Sequence, residues 1–292
     1  MVHAVAKRSG RLDPIKRWYR TVMVVISLVT YGAMGPFGYV AFATLAIVPT
    51  RDPVARAHRL QGIMRRAFAL LHHWMNLVGL LHYDPRSLRG RVPDGPCIVI
   101  SNHPTLHDVT TIMSAVPRLC TAINHRTYSR WWLRPLLEQS GQFCGAAPSL
   151  LGTSTVLDNA AERLRQGFRV LMFPEGGRSP RGQLHPFSRV AFELACREGL
   201  PIVPILIRAE PPWLTRGDRF LRPPAERPAK RVEVLETLQP DRFAGDSRAM
   251  RDYAEAMYSR ILGAPVARSP LALAGEPPRP RPIGSEPGGL TK

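Results

Sequence analysis

From about residue 90 to residue 263, short apolar runs alternate with longer amphipathic runs, and this alternation limits the possible folds more than any other feature. Each apolar run has the length of a buried strand, and the amphipathic runs repeat their apolar residues at helical spacing. We therefore predict an α/β fold for residues 84–263, with a mixed sheet flanked by helices. The predicted strands lie at 97–101, 118–124, 168–173, 201–207 and 231–236, and the predicted helices at 153–167, 187–199 and 246–263.

Single residues refine this prediction. Pro204 lies inside a predicted strand, and because proline lacks the N–H of a sheet ladder, we expect an edge strand or a bulge there. Ser154 is expected to cap the helix at 153–167. Asp246 or Ser247 is expected to cap the last helix.

A basic segment at residues 1–20 is followed by residues 21–50, which carry no charge. That run is too long for a secretory signal peptide. Gly35 and Pro36 lie near its midpoint, where proline would divide a helix into two legs, each too short to cross a bilayer. Because both flanks are basic, and so favour the cytoplasmic side, we predict a membrane-associated helical hairpin. A single tilted span is the alternative.

Residues 54–83 are predicted to form further helices, so that 21–83 is a membrane-associated helical segment ahead of the α/β domain. His72 and His73 point about 100° apart on a helix, and without an H-E-x-x-H pattern a structural or interfacial role is favoured over metal binding. Residues 264–292 are rich in proline and glycine without periodicity, which predicts a disordered tail.

The formal net charge is +18, which indicates an anionic partner. A nucleic-acid binder would interleave aromatic with basic residues on one face, whereas here the arginines are spread over flanks, loops and tail. We therefore expect an anionic membrane surface as a partner and no nucleic acid. The four cysteines lie far apart without a C-x-x-C, which favours reduced, buried thiols.

The stretch "SNHPTLHD", residues 101–108, directly follows a predicted strand. On a continuous helix His103 and Asp108 would lie about 140° apart, but they can meet if Asp108 begins the next helix. The carboxylate would then fix the imidazole tautomer, and the free ring nitrogen would accept a proton from an alcohol or amine. A loop histidine beside a capping aspartate is the alternative, and His107 is the rival base.

The stretch "FPEGGRSPRG", residues 173–182, also follows a predicted strand. Gly176 and Gly177 allow a tight turn whose N–H groups can bind an anion. Glu175 and Arg178 supply opposite charges, and a guanidinium suits a phosphate or a carboxylate. A polar turn with a local ion pair is the alternative.

Together these stretches resemble the glycerolipid (lysophosphatidate-type, PlsC-like) acyltransferase family. "NHPTLHD" resembles its H-x-x-x-x-D motif, "FPEGGRS" resembles its F-P-E-G-T-R-S motif, and "GLPIVPILI" is similar to its Pro-containing strand. The three occur in the family's order and cover roughly residues 95–210.

The resemblance implies direct transfer of a fatty acyl group from acyl-CoA or acyl-carrier protein to a hydroxyl of a lysolipid. It implies no metal and no other cofactor, and a place at the cytoplasmic face of the cell inner membrane. The chain has no G-x-S-x-G elbow for a serine nucleophile, which agrees with direct transfer. The implied catalytic residues are His103 as general base and Asp108 as its orienting partner. The implied substrate-binding residues are Glu175, Gly176, Gly177, Arg178, Ser179 and Pro204.

Two departures from the family pattern concern the acceptor. Gly177 replaces the usual threonine or serine, and Ala146 and Ala147 stand where the family has an arginine that helps to hold the acceptor phosphate. A non-phosphate acceptor, such as a lyso-ornithine lipid or a specialised glycolipid, therefore stays open beside lysophosphatidate. So does a relocated arginine, for which the candidates are Arg126, Arg130 and Arg134.

A non-catalytic membrane lipid-binding protein is the alternative of another class. The presence of His103, Asp108, Glu175 and Arg178 argues against it.

Overall fold

The computed structural model describes residues 13–47, 52–145, 150–219 and 221–267. Its helices are α1 (Asp13–Ile47), α2 (Pro53–Leu77), α3 (Asp108–Ala115), α4 (His125–Tyr128), α5 (Arg134–Gln139), α6 (Leu150–Arg165), α7 (Val190–Glu198) and α8 (Ser247–Leu262). Its strands are β1 (His82–Tyr83), β2 (Ile98–Ser101), β3 (Leu119–Ile123), β4 (Phe143–Cys144), β5 (Arg169–Met172), β6 (Ile202–Glu210) and β7 (Ala229–Val234). Short 3-10 helices occupy Pro85–Leu88 and Pro240–Phe243.

Within the described residues the strands form one sheet in the order β1-β7-β6-β2-β5-β3-β4. Neighbouring strands are parallel except β6 and β7, which are antiparallel. Parallel neighbours need crossover connections, and the intervening helices supply them. The predicted α/β fold with a mixed sheet flanked by helices is thus confirmed. The strands β1 and β4 were not predicted, because two residues are too few to form a recognisable apolar run.

The sheet separates two apolar cores. On one face Ile98 and Ile100 of β2 pack among residues of α6, α7 and α8. On the other face Val99 of β2 packs with Ile112 of α3 and Met75 of α2. Because successive strand residues point to opposite faces, a strand covered on both sides is apolar throughout, which explains the run "CIVI".

The ladder around Pro204 is irregular. Pro204 lies on β6, an interior strand, so the predicted edge position is wrong. Ile205 pairs with Val234, and Ile202 forms a bridge with Leu238. Between these two pairs, the segment after β7 has one residue more than β6, as in a β-bulge. The carbonyl of Pro204 accepts the N–H of Leu235 at 2.8 Å, so the backbone of Pro204 faces the irregular segment after β7. The N–H that proline lacks is therefore missing on that side of β6. The ladder with β2 on the other side stays intact.

The N-terminal helix differs from the prediction. α1 runs without a break through Gly35 and Pro36, so the predicted two-legged hairpin is not observed. A proline removes one N–H donor, and the rest of the helical ladder continues on both sides of it. α1 lies against α2, where the Trp74 indole donates to the Ser27 hydroxyl at 3.0 Å. None of the helices in the described part of the chain has a stretch both long and apolar enough to cross a membrane.

Helix ends agree with the sequence in part. Asp246 caps α8 by accepting the N–H of Arg248 at 2.8 Å, as predicted. Ser154 does not cap α6, because it lies inside that helix, which begins at Leu150. Of the predicted tail, residues 264–267 are described. They lie beside Leu184, whose N–H donates to the carbonyl of Pro265 at 3.1 Å. Residues 268–292 lie outside the described residues, as do Ala146 and Ala147.

Candidate active site

The loop after β2 is anchored at its first residue. Asn102 is buried, and its side-chain amide forms two bonds with the backbone of Ile207 on β6, accepting the N–H at 2.8 Å and donating to the carbonyl at 2.9 Å. An amide suits this position because it offers one donor and one acceptor to the backbone C=O and N–H of a single residue. Asn102 therefore fixes the point where the chain leaves the sheet, directly before His103.

The predicted contact between His103 and Asp108, called the dyad below, is formed. α3 begins at Asp108, whose carboxylate reaches back to His103, with Asp108 Oδ2 lying 2.9 Å from His103 Nδ1. Because an ionised carboxylate only accepts, the proton belongs on Nδ1 and Nε2 is the basic nitrogen. The imidazole also stacks on Phe173, with ring centroids 4.3 Å apart, which restricts its orientation. The His103 side chain is 16% exposed, so the ring has limited access to solvent.

Asp108 itself is fully buried and fully bonded. Its Oδ2 also accepts the backbone N–H of Thr105 at 2.6 Å, and its Oδ1 accepts from the Lys230 ammonium at 2.8 Å. Burial alone would raise the pKa of Asp108, but Lys230 and His103 outweigh it and lower that pKa to about 2. The group that orients His103 is therefore an anion at neutral pH.

The loop after β5 is tied to the dyad by Glu175. Its Oε1 accepts the backbone N–H of His103 at 3.0 Å and the hydroxyl of Ser179 at 2.7 Å. Its Oε2 accepts the N–H of His185 at 2.9 Å. Both oxygens are thus bonded within the chain, and Glu175 is 8% exposed. Direct contact of Glu175 with a substrate stays a prediction.

Arg178 and its neighbours shape the rest of this loop. Gly176 has φ +67°, which glycine adopts without strain, and the N–H of Ser179 donates to the His103 carbonyl at 2.8 Å. A Cβ on Gly177 would meet nothing within 4 Å, so the threonine or serine of the family would fit there. The Arg178 guanidinium donates to the carbonyls of Leu214 and Thr215 at 3.3 Å each.

His107 does not belong to the dyad. Its ring lies near that of His72, with centroids 6.5 Å apart. Burial, Lys230 and His72 lower the pKa of His107 to about 3, so its ring is neutral at physiological pH. The rival base thus faces α2, whereas His103 faces Phe173.

Pro204 lies away from these loops, buried within β6 and paired in register with Ile100 of β2. It supports the strand that precedes His103. Substrate binding by Pro204, Gly176, Gly177, Arg178 and Ser179 remains a prediction.

A basic cavity lies beside the Arg178 loop. It has a volume of about 470 Å³, and its charged lining residues are Arg17, Arg181, Asp218 and Arg222. Arg181 is held by the Thr215 hydroxyl at 3.1 Å and by Asp218. The three candidates for a relocated arginine lie elsewhere and are exposed: Arg126, Arg130 and Arg134, the last paired with Glu138 at 2.8 Å. Among the described residues, no cluster of three or more His, Cys, Asp or Glu side chains could hold a metal ion.

Sequence reasoning missed Lys230, Asn102 and Thr105. Lys230 lies 122 residues after Asp108, inside a strand where a charged residue normally points to solvent. The sequence offers one weak signal, since Lys230 is in phase with the apolar residues Val232 and Val234 of β7. Asn102 precedes His103 in "SNHP" and could have been suspected from its place at a strand end.

Comparisons with known proteins agree with one another. A family model described as Acyltransferase matches residues 85–208, which contain His103, Asp108 and the Glu175 loop. The structure resembles the crystal structure of the 1-acyl-sn-glycerophosphate (LPA) acyltransferase PlsC from Thermotoga maritima. Its TM-score is 0.62 at 19% identity, and the match covers 86% of this chain and 96% of that one.

Curated relatives carry closely related names. The 1-acyl-sn-glycerol-3-phosphate acyltransferase alpha of Mus musculus is 27% identical over 70% of this chain and 72% of its own length. The beta enzyme of Homo sapiens is 32% identical over 42% of this chain and 44% of its own length. The 1-acyl-sn-glycerol-3-phosphate acyltransferase of Pseudomonas aeruginosa is 28% identical over 49% of this chain and 56% of its own length.

Proposed function

Because this chain belongs to the PlsC-like glycerolipid acyltransferase family, and is therefore an O-acyltransferase, we propose that it acylates the free hydroxyl of a lysophosphatidate-like lipid with His103 as general base. The observation that carries this proposal is the 2.9 Å bond between His103 Nδ1 and Asp108 Oδ2. It leaves Nε2 of a held imidazole as the proton acceptor.

The proposed reaction needs one proton carrier and no acyl-enzyme. Nε2 of His103 removes the proton from the acceptor hydroxyl as the oxygen attacks the thioester carbonyl of the donor. The C–S bond then breaks, and the proton held by His103 passes to the leaving thiolate. Asp108 stabilises the imidazolium that exists between these two transfers. The products are the ester and the free thiol of the carrier.

The acceptor is proposed to be 1-acyl-sn-glycerol-3-phosphate, because the relatives are named for that substrate. Arg178 is the proposed phosphate-binding residue. Its guanidinium donates to the carbonyl of Leu214, which also accepts the N–H of Leu106 in the dyad loop, residues 102–107 after β2. The replacement of the family arginine at Ala146 and Ala147 favours a second candidate, a lyso-ornithine lipid or another acceptor without a phosphomonoester.

The donor is proposed to be acyl-CoA or acyl-carrier protein, whose phosphates or acidic surface suit a chain of charge +18. The proposed location is the cytoplasmic face of the inner membrane. Its support is a set of exposed apolar residues on α1. Val25, Leu28, Val29 and Val40 lie between the basic flanks, and Trp18 lies at the end of the first basic segment.

The experiment that tests this proposal is an assay of the purified protein with acyl-CoA and with acyl-carrier protein against a panel of lysolipids. Ester formation on lysophosphatidate supports the leading acceptor. Ester formation confined to amino-lipids supports the second candidate. Thioester hydrolysis without ester formation would contradict both.

A further inference from the structure

Lys230 is a buried cation inside the sheet. Its side chain is 2% exposed, and its ammonium donates to Asp108 Oδ1 at 2.8 Å, to the Thr105 hydroxyl at 2.9 Å and to the Thr111 hydroxyl at 3.2 Å. An ammonium has three N–H donors, so all of them are used. All three acceptors belong to the dyad loop or to α3, whereas Lys230 itself comes from β7.

The charges explain why a cation belongs at this place. Asp108 is completely buried, and an isolated carboxylate in such surroundings would take up a proton. A protonated Asp108 could no longer hold the Nδ1–H tautomer of His103 or stabilise its imidazolium. With Lys230 and ionised Asp108 in contact, the buried cluster is neutral when His103 is neutral, and it gains a net positive charge when His103 is protonated.

We propose that Lys230 is a positioning residue of the acyl transfer reaction, which holds Asp108 ionised and in place and keeps His103 in the neutral form that can accept a proton. The inference rests on the proposed function, because it takes His103 as the base. Lys230 does not reach the substrate; it acts through Asp108.

Other charged or titratable groups around His103 come from several elements. Asp108 faces the ring from α3, and the Glu175 carboxylate bonds the backbone N–H of His103 from the loop after β5. Both favour the protonated imidazole. Lys230 opposes it from β7 through its contact with Asp108. The loop after β5 also carries the cation Arg178, whose guanidinium is bonded to the carbonyls of Leu214 and Thr215. Further titratable neighbours of the cluster are the neutral rings of His72 on α2 and His107, and Tyr83 of β1, whose hydroxyl donates to the Thr111 carbonyl at 3.2 Å.

The first test is the pH dependence of kcat/KM in Lys230→Met, whose side chain has similar length but no charge. Without Lys230 the buried pair of His103 and Asp108 carries an uncompensated negative charge and takes up a proton more readily, so the acid limb should move up by about one pH unit or more. The rate at neutral pH should fall about tenfold or more. In Lys230→Arg, which keeps the charge, the acid limb should stay near that of the wild type. An unmoved acid limb in Lys230→Met would overturn the proposal, even if the rate falls.

The second test does not depend on activity. Denaturant unfolding of the wild type, Lys230→Met, Asp108→Asn and the double variant gives the coupling between the two residues. The double variant, which contains neither charge, is expected to fold even if Lys230→Met does not accumulate. The loss caused by Asp108→Asn should be much smaller in the Lys230→Met background than in the wild type. Additive losses would overturn the inference. Inactive wild-type protein would instead contradict the proposed function and the catalytic part of this inference, while the measured coupling would still decide whether Lys230 holds Asp108.

Discussion

The carboxylate of Glu175 accepts the backbone N–H of His103 at 3.0 Å, so the loop after β5 holds the residue proposed as the base. The same carboxylate accepts from Ser179 and from the backbone of His185. Glu175 therefore joins three points of the chain around the site, and its oxygens face donors only.

This bonding predicts the effect of Glu175→Gln. The side-chain NH2 of the glutamine would replace one carboxylate oxygen and would face an N–H or O–H donor that the oxygen now accepts. We therefore expect a loss of about 1–3 kcal/mol in the free energy of unfolding and a fall in kcat. Denaturant unfolding and steady-state kinetics measure the two effects. Glu233→Gln, an exposed position on β7, is the matched control. A selective rise in KM for the acceptor, with kcat and stability unchanged, would instead assign Glu175 to substrate binding.

His72 predicts a loss of stability in acid. It is 1% exposed, and burial is the main cause that lowers its pKa to about 4. The unfolded chain, with an ordinary histidine pKa near 6.5, binds a proton that the folded protein does not, so stability falls as the pH drops from about 6.5 to about 4, by on the order of 3 kcal/mol.

The measurement is the slope of the unfolding free energy against pH. In His72→Gln this slope should be smaller between pH 6.5 and 4, because glutamine does not titrate. His73→Gln changes the neighbouring exposed histidine and should leave the slope as in the wild type. Equal slopes in all three proteins would show that His72 titrates normally.

Choice of acceptor is predicted to depend on Ala146 and Ala147, which stand where the family has a phosphate-binding arginine. Losing one charge-assisted hydrogen bond, worth about 1.5–3 kcal/mol, should weaken preference for a phosphomonoester by one to two orders of magnitude unless another arginine substitutes. A competition between lysophosphatidate and a lyso-amino-lipid at equal concentration measures this preference.

Alanine variants locate any substitute arginine. One set comprises Arg126, Arg130 and Arg134, and the second comprises Arg17 and Arg222, which line the basic cavity. A substitute in either set should reveal itself by a loss of preference for lysophosphatidate. A strong preference that survives both sets would show that the missing arginine was never needed.

Membrane attachment is predicted to depend on the exposed apolar residues of α1. Trp18 is 69% exposed and Val29 is 65% exposed. Placing a charge there should weaken binding to anionic vesicles, because burying an uncompensated charge at the interface is unfavourable. Vesicle co-sedimentation of Trp18→Glu and Val29→Glu measures the effect, with Asp158→Glu on α6 as a control. Unchanged binding of both variants would show that these residues of α1 do not attach the protein to the membrane.

Features that depend on neighbouring residues could be predicted from the sequence. The strands ending before His103 and before Glu175 are local apolar runs. The contact between His103 and Asp108 required a helix beginning at Asp108, and α3 does begin there. The predicted edge position of Pro204 was wrong, because the sequence does not show which neighbouring strand the backbone of a residue faces. The predicted helix break at Pro36 is not observed, because a proline alone does not decide whether a long helix continues.

Features that join distant parts of the chain could not be predicted. Lys230 meets Asp108 only because β7 lies beside β6 and β1 in the sheet. Asn102 meets Ile207 only because β2 and β6 are neighbours. No periodicity or motif encodes these pairings, so the partners of Asp108 and the anchoring of the dyad loop needed the structure.

His103, oriented by Asp108, is the proposed base of the transfer reaction. The most direct measurement of this role is kcat for acyl transfer by His103→Ala and His107→Ala, each checked for native unfolding behaviour. A general base contributes about 10²–10⁴ to the rate, so His103→Ala should lose activity by at least that factor while His107→Ala retains most of it. An active His103→Ala beside an inactive His107→Ala would contradict the assignment.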